Sequence, residues 1–340
     1  MKSKMILGVV VLAVGLGLMF GCAQKEPLPL EVAAPQSDPG ILAKQTNTGG
    51  QEEGTVSPIF DAMNAELEAR GLDVRASMAE WVTDPTEPGD DEFGQTIFAN
   101  NRAKQLGHHW VPGDPRRGGR TNITYLVDKS DGVAKAPLGG TLSNAQTEGA
   151  IDRAMDTWHD VQCSNIPIVK VPDSGIDPDI RDFLAPPLGS FGGFGTPFLA
   201  DIVHAGWLPG GFFNTLAPGG ATRILGVTFT FIFVSGGVPT DIDGNGKLDV
   251  AFREIYYNNN FEWGINVSTR PFDVETVALH EAGHGLSQGH FGKIFRTESN
   301  GVLHFSPFAV MNAAISRQAQ DLEGTDNGGH CSIWAQWPNH

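Results

Sequence analysis

Four residues set the chemistry open to this chain. His280, Glu281 and His284 form the string HExxH, and His290 follows ten positions after His280. On a helix, positions four apart share a face, so the imidazoles of His280 and His284 can bind one metal ion. Glu281 sits beside that face, placed to act on a water molecule without being a ligand. His290 lies where the chain can turn back and supply a third nitrogen. Three protein ligands leave a fourth position open, the catalytic arrangement for zinc, whereas closed structural sites use four ligands, usually with cysteines. With 10 histidines in 340 residues, chance gives an HExxH string in about one to two per cent of such chains, and requiring His290 lowers that about thirtyfold. Three solvated histidines on a surface helix is therefore the weaker reading.

The elements that must position these groups can be read around them. Asp273 is the expected N-cap of a helix through DVETVALHEAGHGLSQGH, with Val274, Val277 and Ala278 apolar and Glu275 favourably near the positive helix end. Ser143 followed by Gln146 is a capping-box pattern opening SNAQTEGAIDRAMDTWHDV, in which Ile151, Met155, Trp158 and Val161 repeat at helical spacing. A third helix is expected over 58–71 from Ile59, Phe60, Met63 and Leu67, stopped by Gly71. Strands are expected near Val74 to Val82, Thr96 to Ala99, Ile123 to Val127 and Asp201 to Trp207, and ILGVTFTFIFV from Ile224 is strongly β-prone. DPTEPGDDEFG, VPGDPRRGG and the rest of the Gly- and Pro-rich stretch from Pro172 to Gly220 read as turns and loops.

HEAGHGLSQGH resembles the metzincin signature HExxHxxGxxH, and Met311 in SPFAVMNA is similar to the Met-turn that underlies the metal in that clan. Within the clan the chain most resembles the bacterial matrixin-like zinc metalloproteases. The helix ending AMDTWHDV precedes IPIVKV, and a strand precedes the zinc helix, in the family's order. The resemblance covers roughly Gly107 to Ala335. It implies an α+β zincin fold: a twisted sheet of about five strands, mostly parallel with one antiparallel edge strand, backed by two long helices. A small C-terminal subdomain would follow His290.

The same resemblance implies a zinc endopeptidase. Zinc would sit on His280, His284 and His290, with Glu281 as the base that takes a water proton and later delivers it to the leaving amine. A protein or peptide substrate would lie extended along an edge strand, for which Ile224, Leu225, Gly226 and Val227 are the candidates. The segment Phe308 to Ala313 would wall the pocket beyond the scissile bond. Ser287 departs from the pattern, standing where the signature has the glycine of a sharp turn, and Gly289 is the residue that could take the turn over. No PRCGxPD-like segment occurs, so a cysteine switch is not expected. Only His204 lies between Pro172 and Phe272, so neither is a second, structural zinc. Two other classes stay open: a surface-anchored binding or adhesion protein with a vestigial zinc site, and a zinc hydrolase of a non-peptide bond.

DIDGNGKLD places Asp241, Asp243, Asn245 and Asp249 at positions one, three, five and nine of a calcium loop, with Gly246 at six. Phe252 stands at position twelve instead of Glu, so Glu254 or a backbone oxygen would have to complete the cage; the alternative is a solvated Asx-rich turn. Cys163 and Cys331 are expected to pair in an oxidising compartment, against the reading of two buried thiols. His108, His109, His159, His204, His304, His330 and His340 lack ligand spacing, although His204 and His304 could line the cleft. Trp158, Trp207, Trp334 and Trp337 read as core or docking residues.

Residues 1–21 carry Lys2 and Lys4 ahead of an uncharged run from Met5 to Phe20, which reads as a secretion signal. The run ends at Gly21 and Cys22, resembling a bacterial lipoprotein box with lipid on Cys22, so the expected location is the cell envelope, at the outer membrane or secreted. Residues 22–57 read as a flexible tether, 58–106 as an N-terminal segment, and 107–340 as the catalytic domain. With 39 acidic residues against 23 Lys and Arg, the formal charge of -16 argues against a nucleic-acid partner. An apolar content of 40% with 18% charged residues supports a true core.

Overall fold

The strand Ile123–Val127 sends Tyr125 and Val127 to one face of a sheet and Leu126 to the other, and all five of its residues are buried. A strand dry on both faces needs cover on both. The computed structural model, which describes residues 57–84, 96–100, 105–130, 132–176, 199–268, 270–297 and 302–339, supplies it. In chain order the elements are α1 (Ser57–Ala69), β1 (Val74–Thr83), β2 (Thr96–Asn100), β3 (His108–His109), β4 (Ile123–Val127), α2 (Asn144–His159), β5 (Ile168–Lys170) and β6 (Ile202–Leu208). Then follow α3 (Gly210–Leu216), α4 (Gly220–Arg223), β7 (Ile224–Ser235), β8 (Val238–Pro239), β9 (Leu248–Asn258), β10 (Trp263–Gly264) and β11 (Phe272–Asp273). The last are α5 (Val274–Gly285), β12 (Gly292–Arg296), β13 (Leu303–Ser306) and α6 (Gly324–Trp334).

The central sheet runs β1-β7-β9-β6-β4-β5. β9, β6, β4 and β5 are mutually parallel, and β7 is antiparallel to both of its neighbours. The fold is thus mixed α/β with a mostly parallel sheet. On one face lie α2 and α5, through Ile151, Met155 and Trp158 and through Val274, Val277 and Ala278. On the other, Ile59, Met63 and Leu67 of α1 and Phe212, Phe213 and Leu216 of α3 bury against Phe229, Phe231 and Tyr256. Gly210–Leu216, expected as loop, is helical because those three apolar side chains need the aromatic face. The Ser143 cap forms as read: its hydroxyl accepts from the Gln146 N–H, and the Gln146 side chain accepts from the Ser143 N–H at 3.0 Å.

Two expectations need correcting. β7 is the antiparallel strand, but Ile224, Leu225, Gly226 and Val227 are not a free edge, because β1 pairs along β7 from Val74 opposite Phe233 to Thr83 opposite Ile224. And the segment 58–106 is not set apart from the domain that follows. Val74, Ala76 and Trp81 of β1 and the apolar stripe of α1 close the aromatic face of the sheet, which would otherwise stand open to water. Past His290, β12 pairs with β13 and with β2 in a small antiparallel sheet. Cys163, beyond α2, is bonded to Cys331 in α6, with Cα atoms 5.7 Å apart. The leader over 1–21, Cys22, nearly all of the tether and most of DPTEPGDDEFG lie outside the described residues. Among the described residues, no helix is long and apolar enough to cross a membrane.

Candidate metal centre

α5 starts where the sequence expects. Asp273 Oδ2 accepts from the backbone N–H of Thr276 at 3.0 Å and from its hydroxyl at 2.9 Å. Every residue of the helix is buried, so its polar side chains must find partners inside the protein.

The three histidines find one another. The Nε2 atoms of His280 and His284 are 3.0 Å apart, and each lies 3.2 Å from Nε2 of His290. The far nitrogens decide what this means. His280 Nδ1 lies 2.7 Å from the Val310 carbonyl, and His284 Nδ1 lies 2.8 Å from the Gln288 carbonyl. A carbonyl only accepts, so each Nδ1 carries the proton and each Nε2 presents a lone pair. Lone pairs converging this closely repel unless a cation lies between them. Nitrogens bound to zinc at about 2.0–2.1 Å in tetrahedral directions stand roughly 3.3 Å apart, so the residues fit that ion. Burial also keeps the rings in the ligating, neutral form, holding His280 down to about 4 and His284 and His290 well below the ordinary histidine value. His290 Nδ1 lies 3.5 Å from the Glu80 carboxylate on β1, a third outer partner for the ligand set.

Glu281 is fully buried. Its Oε2 accepts a 2.6 Å hydrogen bond from the Thr228 hydroxyl, and its Oε1 accepts a longer one, 3.3 Å, from the Val82 N–H of β1. Burial pushes this carboxyl up to about 8, opposed by those two hydrogen bonds and reinforced by the charge of Glu80. Gly226 makes room for it: a Cβ there would stand 3.0 Å from Glu281 Cγ and 3.1 Å from Val277 Cγ1.

Met311, 2% exposed, packs on the bare backbone of Gly283, the residue before His284. The turn that carries it is pinned by Asp326 of α6, whose carboxylate accepts from the N–H groups of Val310 at 2.8 Å and Met311 at 3.1 Å. Val310 in turn offers the carbonyl that orients His280. Asp326 carried no sequence signal beyond being one acid among many.

The C-terminal end of α5 would leave bare carbonyls in the core. Arg253 Nη1 donates to the carbonyls of His284 and Gly285 at 2.6 and 2.7 Å, and to Ser287 Oγ at 3.1 Å. Trp110 donates to Gly285 O and Trp334 to Leu286 O. Ser287 itself sits at φ +67°, in the left-handed region, so the turn stays at this residue and does not pass to Gly289. Its hydroxyl, held by Arg253, compensates for the strain of a Cβ there.

The acidic loop gathers three carboxylates, Asp241, Asp243 and Asp249, within 4.8 Å of one another. Asp249 is already engaged by Arg116 at 2.8 Å and the Thr240 hydroxyl at 2.6 Å, while Asp241 accepts from the N–H groups of Asn245 and Gly246. Asn245 turns its amide toward Asp243 and His109. His204 is buried against Tyr257, hydrogen-bonded to its hydroxyl at 2.8 Å, and is not part of the histidine cluster; His304 bonds to Thr297 at the surface. Trp158, Trp207, Trp334 and Trp337 are all buried. No protein-family model matches this chain, and a search of curated proteins gives no match to it either.

Proposed function

We propose that the chain is a zinc-dependent endopeptidase of the metzincin, matrixin-like type, carried to the cell envelope by a lipid on Cys22 or secreted. The observation that carries this reading is the convergence of three Nε2 atoms within 3.2 Å of one another, with a carboxylate, Glu281, at the position after His280 on the same helix. The strand order β7-β9-β6-β4-β5 with α2 and α5 on one face supports it, as does Met311 packed on Gly283 next to His284.

When bound by His280, His284 and His290, zinc supplies Lewis acidity to a water and to the scissile carbonyl. The chain's own groups do the rest. Val310 and Gln288 hold two imidazoles in the ligating tautomer. Thr228 fixes the Glu281 carboxylate through Oε2, and Oε1, which accepts from the Val82 N–H in this structure, is the atom that takes the proton from water and returns it to the leaving amine once that donor has moved away. The apolar surroundings of Glu281 raise its proton affinity toward the range a general base needs near neutral pH.

Metal analysis of the purified chain beside casein digestion, with and without chelator, tests the reading. One zinc per chain and chelator-sensitive digestion are expected. The complete burial of Glu281 favours the rival reading of a binding protein with a vestigial site, and zinc without any digestion after prolonged incubation would decide for the rival.

A further inference from the structure

The path expected for a substrate, along Ile224 to Val227, is filled by the chain itself. Trp81 pairs with Val227, Val82 with Gly226 and Thr83 with Ile224. The same short stretch is gripped from the opposite side. The Thr83 N–H donates to Ala313 O at 3.2 Å, and the Ile315 N–H donates to Thr83 O at 3.1 Å, so Thr83 bridges Ala314 in parallel just past the Met311 turn. Val82 offers its N–H to the base Glu281, and Glu80 faces His290. An extended segment hydrogen-bonded on both rims, crossing directly over the base, is the way a peptide adds to a sheet edge in recognition.

The next residue points to what the cleft reads. Asp84, whose N–H donates to Arg223 O at 2.7 Å, turns a buried carboxylate to an ion pair with Arg270. It lies at the wall of a cavity of about 290 Å³ lined also by Phe272, Thr276, Ile315 and Arg317. Arg317 is engaged elsewhere, stacked on Phe308 at 3.6 Å and 3.7 Å from Glu323, which leaves Arg270 as the cation that meets the acid.

We propose that residues 80–84 occupy in cis the path of an extended peptide, and that the Arg270 cavity is a subsite for an acidic side chain, filled by Asp84 until that strand end leaves. The word substrate here rests on the endopeptidase reading; the occupancy and the acid preference do not. The class of ligand is an extended peptide with Asp or Glu two positions after the residue that meets Glu281.

A binding experiment on the full, zinc-loaded chain tests this, in a Glu281→Gln background so that the probe is not consumed. The probes are fluorescein-labelled EWVTDP, the chain's own residues 80–85, and EWVTAP. Asp84→Ala, and separately Thr83→Pro, should bind EWVTDP at least tenfold more tightly than the parent. Asp84→Ala should also prefer EWVTDP to EWVTAP by about tenfold, and adding Arg270→Ala should cut that preference to within twofold. If both releasing variants bind EWVTDP no better than the parent, or bind neither probe, the strand end is not a competing occupant. If Asp84→Ala binds the two probes alike, the cavity does not read the acid. Because binding needs no turnover, the expected pattern without any proteolysis by the Glu281 forms would sink the endopeptidase reading alone.

Discussion

A Cβ on Gly283 would overlap the Met311 sulfur and stand 2.9 Å from Trp158 Cζ2. The glycine between the glutamate and the second histidine is therefore a packing requirement of the turn below. Gly283→Ala should destabilise the protein by about 1–3 kcal/mol, the usual cost of overpacking a filled core. Adding Met311→Ala should recover part of that loss. Denaturant midpoints of the two single variants and the double variant give the coupling, and strict additivity would show that the two residues do not share the space.

The left-handed Ser287 predicts an ordering. Ser287→Ala keeps the strained Cβ and removes an acceptor from the buried Arg253, costing about 1–2 kcal/mol. Ser287→Gly loses the same bond but relieves the strain, so it should be the milder change by about 1 kcal/mol. Urea unfolding of both variants checks the order.

Glu281→Gln should keep zinc and lose activity, since an amide preserves the shape and cannot take a proton. The expected loss is on the order of 10² to 10⁴ in rate. His284→Ala should lose the metal as well. Zinc content and casein digestion measured side by side separate base from ligand, and wild-type digestion by Glu281→Gln would assign the activity to another helix or a contaminant.

Acid should unfold the protein partly through buried histidines away from the cluster. Burial, aided by the charge of Arg253 for His108 and of Lys170 for His204, lowers both to about 3, and burial lowers His330 to about 4. With folded values below the unfolded value near 6.5, their contribution is fully present above pH 6.5 and is lost as pH falls, toward about 3 for His108 and His204 and toward about 4 for His330, because the unfolded chain takes up the protons first. Each adds a slope of about 1.4 kcal/mol per pH unit in that window. His204→Gln should make the slope shallower by about one proton, read from stability at a series of pH values.

Calcium is expected to raise the melting temperature through Asp241, Asp243 and Asp249, and Asp243→Ala should abolish the rise. Arg116 competes for Asp249, so Arg116→Gln should enlarge it. A response unchanged in both variants would leave the loop as a turn.

What could be read in the sequence was local. The spacing of His280, His284 and His290 on a capped helix, the bounds of β4, and the Ser143 box depend on neighbours within a few positions. The cover over the cleft does not. Val82 meets Glu281 across 199 positions, and nothing within the alternating string around Val74 to Thr83 says which strand it will join. Arg253 was equally silent: a lone cation in an apolar strand is recognisable as a helix cap only once α5 ends above it. Ser287 breaks the glycine of the signature, and the partner that compensates for it, Arg253, comes from β9, outside the signature.

α6 braces the surroundings of the histidine cluster in three ways: Asp326 pins the turn whose Val310 carbonyl orients His280, Trp334 caps the carbonyl of Leu286, and Cys331 ties the helix to the loop after α2. All three lie well downstream of His290. A chain emerging N-terminus first thus carries all three histidines, and the Gln288 carbonyl that orients His284, before it owns the turn and the helix that hold His280. The histidine cluster is therefore fully braced only once α6 has emerged and Cys331 has met Cys163, so its assembly is tied to the path of the backbone.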